Sequence, residues 1–405
     1  MVYDASTPST SADLPALHLV DLGGLHARLR PELDRAMDEV VNASAFIRGA
    51  QVDAFETELA HTMNLGGHVV GCGNGTDALA LALRALGIGP GDEVIVPDFS
   101  FIASAEVVCE VGATPVFADI DPATFQLDPV SAERAKTERT RAVMVVHLFG
   151  QCANMDALVP WAEEHGLHLV EDNAQSLGAA WCGHRVSGSA GTMGAVGTTS
   201  FFPSKNLGAL GDGGAVLTRD PDLEGRVRRL ANHGAERKYH HLEVGVNSRL
   251  DGLQAAFLRV KLGHWPDLVA RRSAAAARYD ELLADPQFSN ARAIRPPARD
   301  PLSTHLFHQY CVLLPHGTDR DALQAQLRRA GIPTAVYYPT PLSSQPAFDG
   351  AATTVQGGTP IAHDVAGRIL ALPMHTELTP EMQRRVVAEL FRLLSSTCTK
   401  PNNLP

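Results

Sequence analysis

Lys205 has no lysine neighbours. It is the only lysine between Lys136 and Lys238, set between an apolar, strand-like run, Gly197–Phe202, and a glycine-rich loop, Gly208–Gly214. Such surroundings strip water from the side chain, which disfavours its charged form and lowers its pKa. A neutral amine can then attack a carbonyl carbon. An exposed loop lysine is the plainer reading of any single lysine, and two other stretches decide against it. The first apolar run ends in Gly71-Cys72-Gly73-Asn74-Gly75-Thr76, and Asp77 opens a helix-like segment. Glycines let backbone approach an anion, and the N–H groups and dipole of a helix start favour a phosphate. No Gly-Lys-Ser/Thr follows, and Thr76 stands where the third glycine of a dinucleotide fingerprint belongs. Alone, this run reads equally as a tight strand–helix turn. The second stretch is Glu171-Asp172-Asn173-Ala174-Gln175 at the end of the run Leu167–Val170. It places a carboxylate at a strand end, where it can meet a cation. In isolation Asp172 reads as a helix cap.

An activated amine, a phosphate cradle and a strand-end carboxylate are together the requirements of pyridoxal 5'-phosphate (PLP). The lysine forms a Schiff base with it, the carboxylate keeps the pyridine nitrogen protonated, and the helix start holds the phosphate. The protonated ring is an electron sink, and a neighbouring negative charge favours that cation.

These residues need a frame. Short runs at His68–Cys72, Glu93–Pro97, Thr114–Asp119, Ala142–His147, Leu167–Glu171, Gly197–Phe202 and Gly214–Thr218 are rich in β-branched residues and mostly apolar, as expected of strands covered on both faces. Helical patterns such as Asp77–Leu86 and Met155–His165 lie between them. The expected fold is α/β: an open, seven-stranded, mostly parallel sheet with helices on both faces, whose ligands sit at the carboxyl ends of the strands. Helices at Gly24–Val41 and Gln51–Met63 precede the sheet, and helical patterns at Leu250–Leu262 and Leu268–Leu283 follow it, parted at Pro266. After the proline-rich connection Ala291–Ser303 come a strand (Gln309–Leu314), a helix (Asp319–Ala330), a strand (Thr334–Tyr338) and helices at Ile361–Leu372 and Pro380–Leu394. These make a smaller α+β unit. The expected division is a disordered tail at 1–14, a large domain at 15–265, a small domain at 266–397 and a tail at 398–405.

A chain of 405 residues with 45% hydrophobic content can bury a large core. Its formal charge of -11 argues against nucleic acid or an anionic membrane as partner. The six cysteines (72, 109, 152, 182, 311, 398) form no C-x-x-C pair, which fits a reduced, cytoplasmic protein. The first residues lack the basic and apolar regions of a signal peptide. No apolar run approaches the roughly 20 residues of a membrane helix. His240, His241 and Glu243 have no further ligand at useful spacing, so no metal site is expected.

The motifs in their order resemble the DegT/DnrJ/EryC1/StrS family of sugar aminotransferases. They are Gly75-Thr76-Asp77-Ala78-Leu79, the run Gly87-Ile88-Gly89-Pro90-Gly91-Asp92-Glu93-Val94-Ile95-Val96-Pro97, His147-Leu148-Phe149-Gly150-Gln151, Glu171–Gln175, Ser204–Gly208 and Asn247-Ser248-Arg249-Leu250-Asp251. The resemblance runs from about Asp21 to Leu394. It implies a fold-type I aminotransferase architecture and a homodimer with sites at the subunit interface. It makes Lys205 the PLP lysine, Asp172 the partner of the ring nitrogen, and Gln175 the neighbour of the cofactor's 3-hydroxyl. Gly75, Thr76 and Ser200 hold the phosphate, Phe101 stacks on the ring, and Asn247 reaches the phosphate from the other subunit. The implied reaction moves an amino group from L-glutamate to a nucleotide-linked keto-6-deoxyhexose, best matched by a dTDP-3-keto sugar. A 4-keto sugar, a cyclitol ketone and a non-catalytic sensor of PLP or sugar nucleotide are the alternatives. A dehydratase branch carries histidine in place of the lysine, and Lys205 argues against it. The sequence departs from the family at Tyr337-Tyr338-Pro339 and Pro341-Leu342-Ser343, positions that lie toward the sugar in relatives.

Overall fold

The computed structural model describes residues 16–288 and 294–396. The expected tails at 1–14 and 398–405 lie outside the described residues, as do positions 291–293 of the connection. All seven expected strands form, each within two residues of its expected ends. In spatial order they are His68–Cys72, Gly214–Thr218, Val196–Ser200, His168–Asp172, Thr140–Val146, Glu93–Pro97 and Thr114–Ala118. Gly214–Thr218 runs antiparallel to both of its neighbours, and every other pairing is parallel. The sheet has one strand more than expected. Thr353–Thr354 pairs in parallel with Val116 and Phe117 at its edge. Two exposed threonines carry no apolar pattern, so the sequence holds no signal for them.

Side chains alternate across the sheet, and both faces are apolar. Val94, Val96 and Met144 pack with Leu79 and Leu83 of the Gly75–Leu86 helix. Ile95, Val143 and Val145 pack on the other face with Phe55 and Leu59 of the Ala50–Thr62 helix and Leu258 of the Gly252–Gly263 helix. Each fully buried side chain of this kind contributes roughly 1.5–3 kcal/mol. The strand ends are therefore rigid points from which functional groups can project.

A third apolar cluster unites Tyr279 of the Trp265–Ala284 helix with Tyr310, Leu323, Leu327, Val386 and Leu390. Pro266 lies in the first turn of that helix, where its missing N–H is harmless, so it starts a helix after the preceding one has ended. Two expectations fail here. The helix expected over Ile361–Leu372 stops at Arg368, and Ile369–Leu372 is a strand, antiparallel to Tyr310–Leu313. All four of its residues are buried, and a short, fully apolar run fits a buried strand as well as a helix face. Thr334–Tyr338 is not a strand; only Ala335 forms a bridge, to Ala371. Among the described residues no helix is long and apolar enough to cross a membrane.

Candidate active site

The strand ends converge. Asp172 is the last residue of His168–Asp172, with its side chain buried. Its Oδ2 accepts the Ser104 hydroxyl at 2.8 Å and its Oδ1 accepts the Ala174 N–H at 3.1 Å. The preceding Glu171 points to the opposite face, as strand alternation requires. There its carboxylate accepts N–H groups from Gly191 (2.7 Å), Met193 (2.6 Å) and Gly194 (2.6 Å) and faces His147 Nε2 at 2.8 Å. Of two adjacent acids, one is consumed by structure and the other is presented to the cleft.

Lys205 follows the Val196–Ser200 strand in a curled loop. Phe201 anchors it, edge-on to Phe55 with centroids 5.3 Å apart. The Phe201 carbonyl accepts the Ala209 N–H at 2.7 Å, and the Phe202 carbonyl accepts the Lys205 N–H at 2.8 Å. A Cβ on Gly208 would collide with the Pro203 carbonyl, so only glycine closes the curl. Beneath the loop Lys261, 1% exposed, donates its amine to the Gly208 carbonyl at 2.6 Å and to His26 Nε2 at 3.1 Å. Burial lowers the Lys205 amine to about 8, and the charge of Asp172 acts in the opposite direction. Burial and the charges of Lys205 and Arg272 hold His308 well below the usual histidine range.

The helix start that follows His68–Cys72 lies against the same loop. Asn74 caps it by accepting the Asp77 N–H at 2.8 Å. A Cβ on Gly75 would stand 2.6 Å from the Ser200 Cβ, so the glycine lets the helix start rest on Ser200. The first N–H groups of a helix lack helical partners, and the Ser200 hydroxyl lies beside this helix start, 3.1 Å from where a Gly75 Cβ would stand. Gln175 is oriented from both ends. Its Oε1 accepts the Phe149 N–H at 2.7 Å and its Nε2 donates to the Tyr338 hydroxyl at 3.0 Å. Burial pushes the Tyr338 phenol up. Phe101, 53% exposed, lies with its ring centroid 6.1 Å from that of Tyr338.

The arrangement is an amine of lowered basicity and a carboxylate sharing one cleft, with an anion cradle beside them. A match to the model of the DegT/DnrJ/EryC1/StrS aminotransferase family covers residues 28–391. The chain belongs to that family. It is 44% identical to the "Pleiotropic regulatory protein" of Geobacillus stearothermophilus, over 92% of this chain and 98% of the relative. It is also 44% identical to the "UDP-N-acetyl-3-dehydro-alpha-D-glucosamine 3-aminotransferase" of Acidithiobacillus ferrooxidans, over 94% and 98%. The crystal structure of S. venezuelae DesV in complex with a ketimine intermediate superposes with a TM-score of 0.86 at 41% identity, over 94% of this chain and 99% of that one. As a family member the protein is a PLP-dependent aminotransferase, and its residues fit that cofactor: the Asp172 carboxylate acts on the Lys205 amine, and the glycine-lined helix start rests on Ser200, which leads into the same loop.

Of the residues singled out in the sequence, Gly75 rests on Ser200, the Asp172 charge acts on Lys205, and Gln175 and Phe101 both meet Tyr338. Asn247 is exposed, and its side chain makes no hydrogen bond to the Gly75, Thr76, Ser200 or Lys205 of its own chain. Its neighbour Ser248 donates to Asp77 at 2.6 Å and accepts from the Gly73 N–H at 2.9 Å. Ser343, at one position where the sequence departs from the aminotransferase pattern, faces inward. Its N–H and hydroxyl donate to the fully buried Asp98 at 2.6 and 2.7 Å, and Thr359 donates to the same carboxylate. His241 contacts the His233 carbonyl and His240 faces Glu236. Sequence reasoning missed Ser104, Lys261 and His308. The four-residue spacing of Ser100 and Ser104, and a lysine within the apolar Phe257–Leu262 face, were the available signals.

Proposed function

We propose that Lys205 carries PLP and that the enzyme moves an amino group from L-glutamate to the 3-keto group of a hexose linked to a nucleoside diphosphate, a dTDP-linked 6-deoxyhexose being our first choice. The observation that carries the assignment of Lys205 is an amine of lowered basicity within reach of the Asp172 charge, on the loop that rests against the glycine-lined helix start. When bound, PLP supplies the electron sink that makes the substrate's α-proton labile. With the cofactor bound, the Nζ of Lys205, an amine of pKa about 8, could take that proton and return it on the far side of the substrate nitrogen, the 1,3-shift that transamination requires. Asp172 holds the proton of the ring nitrogen. Gln175, fixed by Phe149 and Tyr338, serves the 3-hydroxyl. Gly75, Thr76 and Ser200 bind the phosphate, and Phe101 covers the ring face. The A. ferrooxidans relative, named for amination at C3 of a UDP sugar, supports the position.

The reading includes a homodimer. Phe46, Ile47, Phe202, Leu210, Tyr239, Leu242 and Val244 are exposed, and Phe202 and Leu210 flank the Lys205 loop. In the proposed dimer a second copy covers exposed apolar residues beside the Lys205 loop and brings its Asn247 to the phosphate. We also take 15–265 and 266–397 as the two domains, and the cytoplasm as the compartment that keeps the free cysteines reduced.

Glutamate added to the holoenzyme should convert the absorbance of lysine-bound PLP to that of its amine form, and dTDP- or UDP-linked 3-keto sugars should restore it. The name of the Geobacillus relative describes a regulator. A chain that only senses its ligand would leave glutamate unreacted, and that result would end the enzymatic reading. Restoration by 4-keto sugars alone would overturn the choice of carbon.

A further inference from the structure

The backbone is not the only support of Asp172. The hydroxyl of Ser104, fully buried, donates to Oδ2 at 2.8 Å, and the Ser100 hydroxyl lies 3.0 Å from that of Ser104. An ionised carboxylate can only accept, so the single Ser104 proton is committed to Asp172. The bond between the two serines therefore runs from Ser100 to Ser104. Oδ1 accepts the Ala174 N–H at 3.1 Å. The serines stand four residues apart on either side of Phe101, in the segment that leaves the Glu93–Pro97 strand.

We propose that Ser104 is a positioning residue for Asp172, fixing one carboxylate oxygen and keeping the shared proton on the cofactor's ring nitrogen, with Ser100 reinforcing it from behind. This rests on the assignment of Asp172 to that nitrogen. An oxygen that already accepts a charge-assisted hydrogen bond competes less well for a further proton. The bond from Ser100 polarises the Ser104 hydroxyl and strengthens its donation. Without Ser104 the carboxylate can turn, and the shared proton moves toward it. The ring then loses positive charge and withdraws electrons less well. The same short segment thus holds the ring face through Phe101 and the ring proton through Ser104.

The test uses holoenzyme reconstituted with PLP labelled with 15N in the ring, comparing wild type, Ser104→Ala, Ser104→Thr, Ser100→Ala and Asp172→Asn. In Ser104→Ala we expect kcat with glutamate to fall about ten- to a hundredfold, the worth of one hydrogen bond to a charged group, with little change in KM. The ring-nitrogen resonance should move toward that of unprotonated pyridine, a readout that mere loosening of the fold would not give. Ser104→Thr keeps the hydroxyl and should restore both. Ser100→Ala should move the resonance the same way by less, and it carries the test if Ser104→Ala does not fold. An unmoved resonance and wild-type kcat in Ser104→Ala, beside an inactive Asp172→Asn, would overturn the proposal and leave the Asp172 assignment standing. An active Asp172→Asn would overturn both.

Discussion

Lys261 is a cation with 1% exposure and, among the described residues, no carboxylate partner, and replacing it should change the pH dependence of stability in a defined direction. Burial lowers its amine from the ordinary 10.5 to about 8. Between those values the unfolded chain binds a proton that the folded chain does not, so stability rises with pH across this window. At about 1.36 kcal/mol per pH unit the rise amounts to roughly 3 kcal/mol. Below pH 8 both states are protonated and the penalty for the buried charge is fully present. Lys261→Met removes that penalty but leaves the Gly208 carbonyl without its donor, a loss of about 1–3 kcal/mol. The two effects nearly cancel at pH 7, where the variant should match or exceed the wild type. At pH 10 only the loss remains, and the wild type should be the more stable. The assay is thermal unfolding of the cofactor-free proteins from pH 7 to 10.5. Lys205 is present in both, so its titration cancels. For a chain of this length 1 kcal/mol is worth roughly 1 °C, so the difference in midpoint should swing by about 3 °C toward the wild type. A constant offset across the range would show that Lys261 does not titrate there, and the reasoning would fail.

Gly75→Ala should weaken PLP binding at least tenfold by equilibrium titration while the fold persists, because the new Cβ would meet the Ser200 side chain at 2.6 Å and lift the helix start from the cradle; unchanged affinity would remove Gly75 from the site. In the cofactor-free protein, acylation of Lys205 followed by peptide mass mapping should show a midpoint near pH 8, and Asp172→Asn should lower it, since the Asp172 charge raises that pKa; a midpoint near 10 would contradict the burial argument. Lys205→Ala and Asn247→Asp should each be inactive, yet their mixed dimers should regain activity, because one of the two sites carries neither change; mixed dimers that stay inactive would return Asn247 to its own chain's site.

Much of this protein is determined by local sequence. Seven strands are legible because a strand buried on both faces is apolar at most positions, and Glu93–Pro97 and Gly214–Thr218 are buried at all five residues. The chemistry is legible for a related reason. Asp172 ends such a run and Gly75 and Lys205 follow one within five residues, and a rigid strand end is where a single residue can be aimed. Ile369–Leu372 and Thr353–Thr354 were not legible, the first because four apolar residues suit helix and strand alike, the second because an edge pair buries nothing.

Tertiary structure alone decided the supporting contacts. Glu171 and Asp172 are adjacent acids, and only the packing of the 191–194 turn on one face of the sheet assigns one to structure and the other to the cleft. Ser104 meets Asp172 across 68 residues of sequence, Lys261 meets Gly208 across 53, and Ser343 meets Asp98 across 245. No local pattern encodes such pairs, because each partner alone is an ordinary serine, lysine or aspartate. Their strength comes from the loss of water on burial, and the chain has to fold before that environment exists.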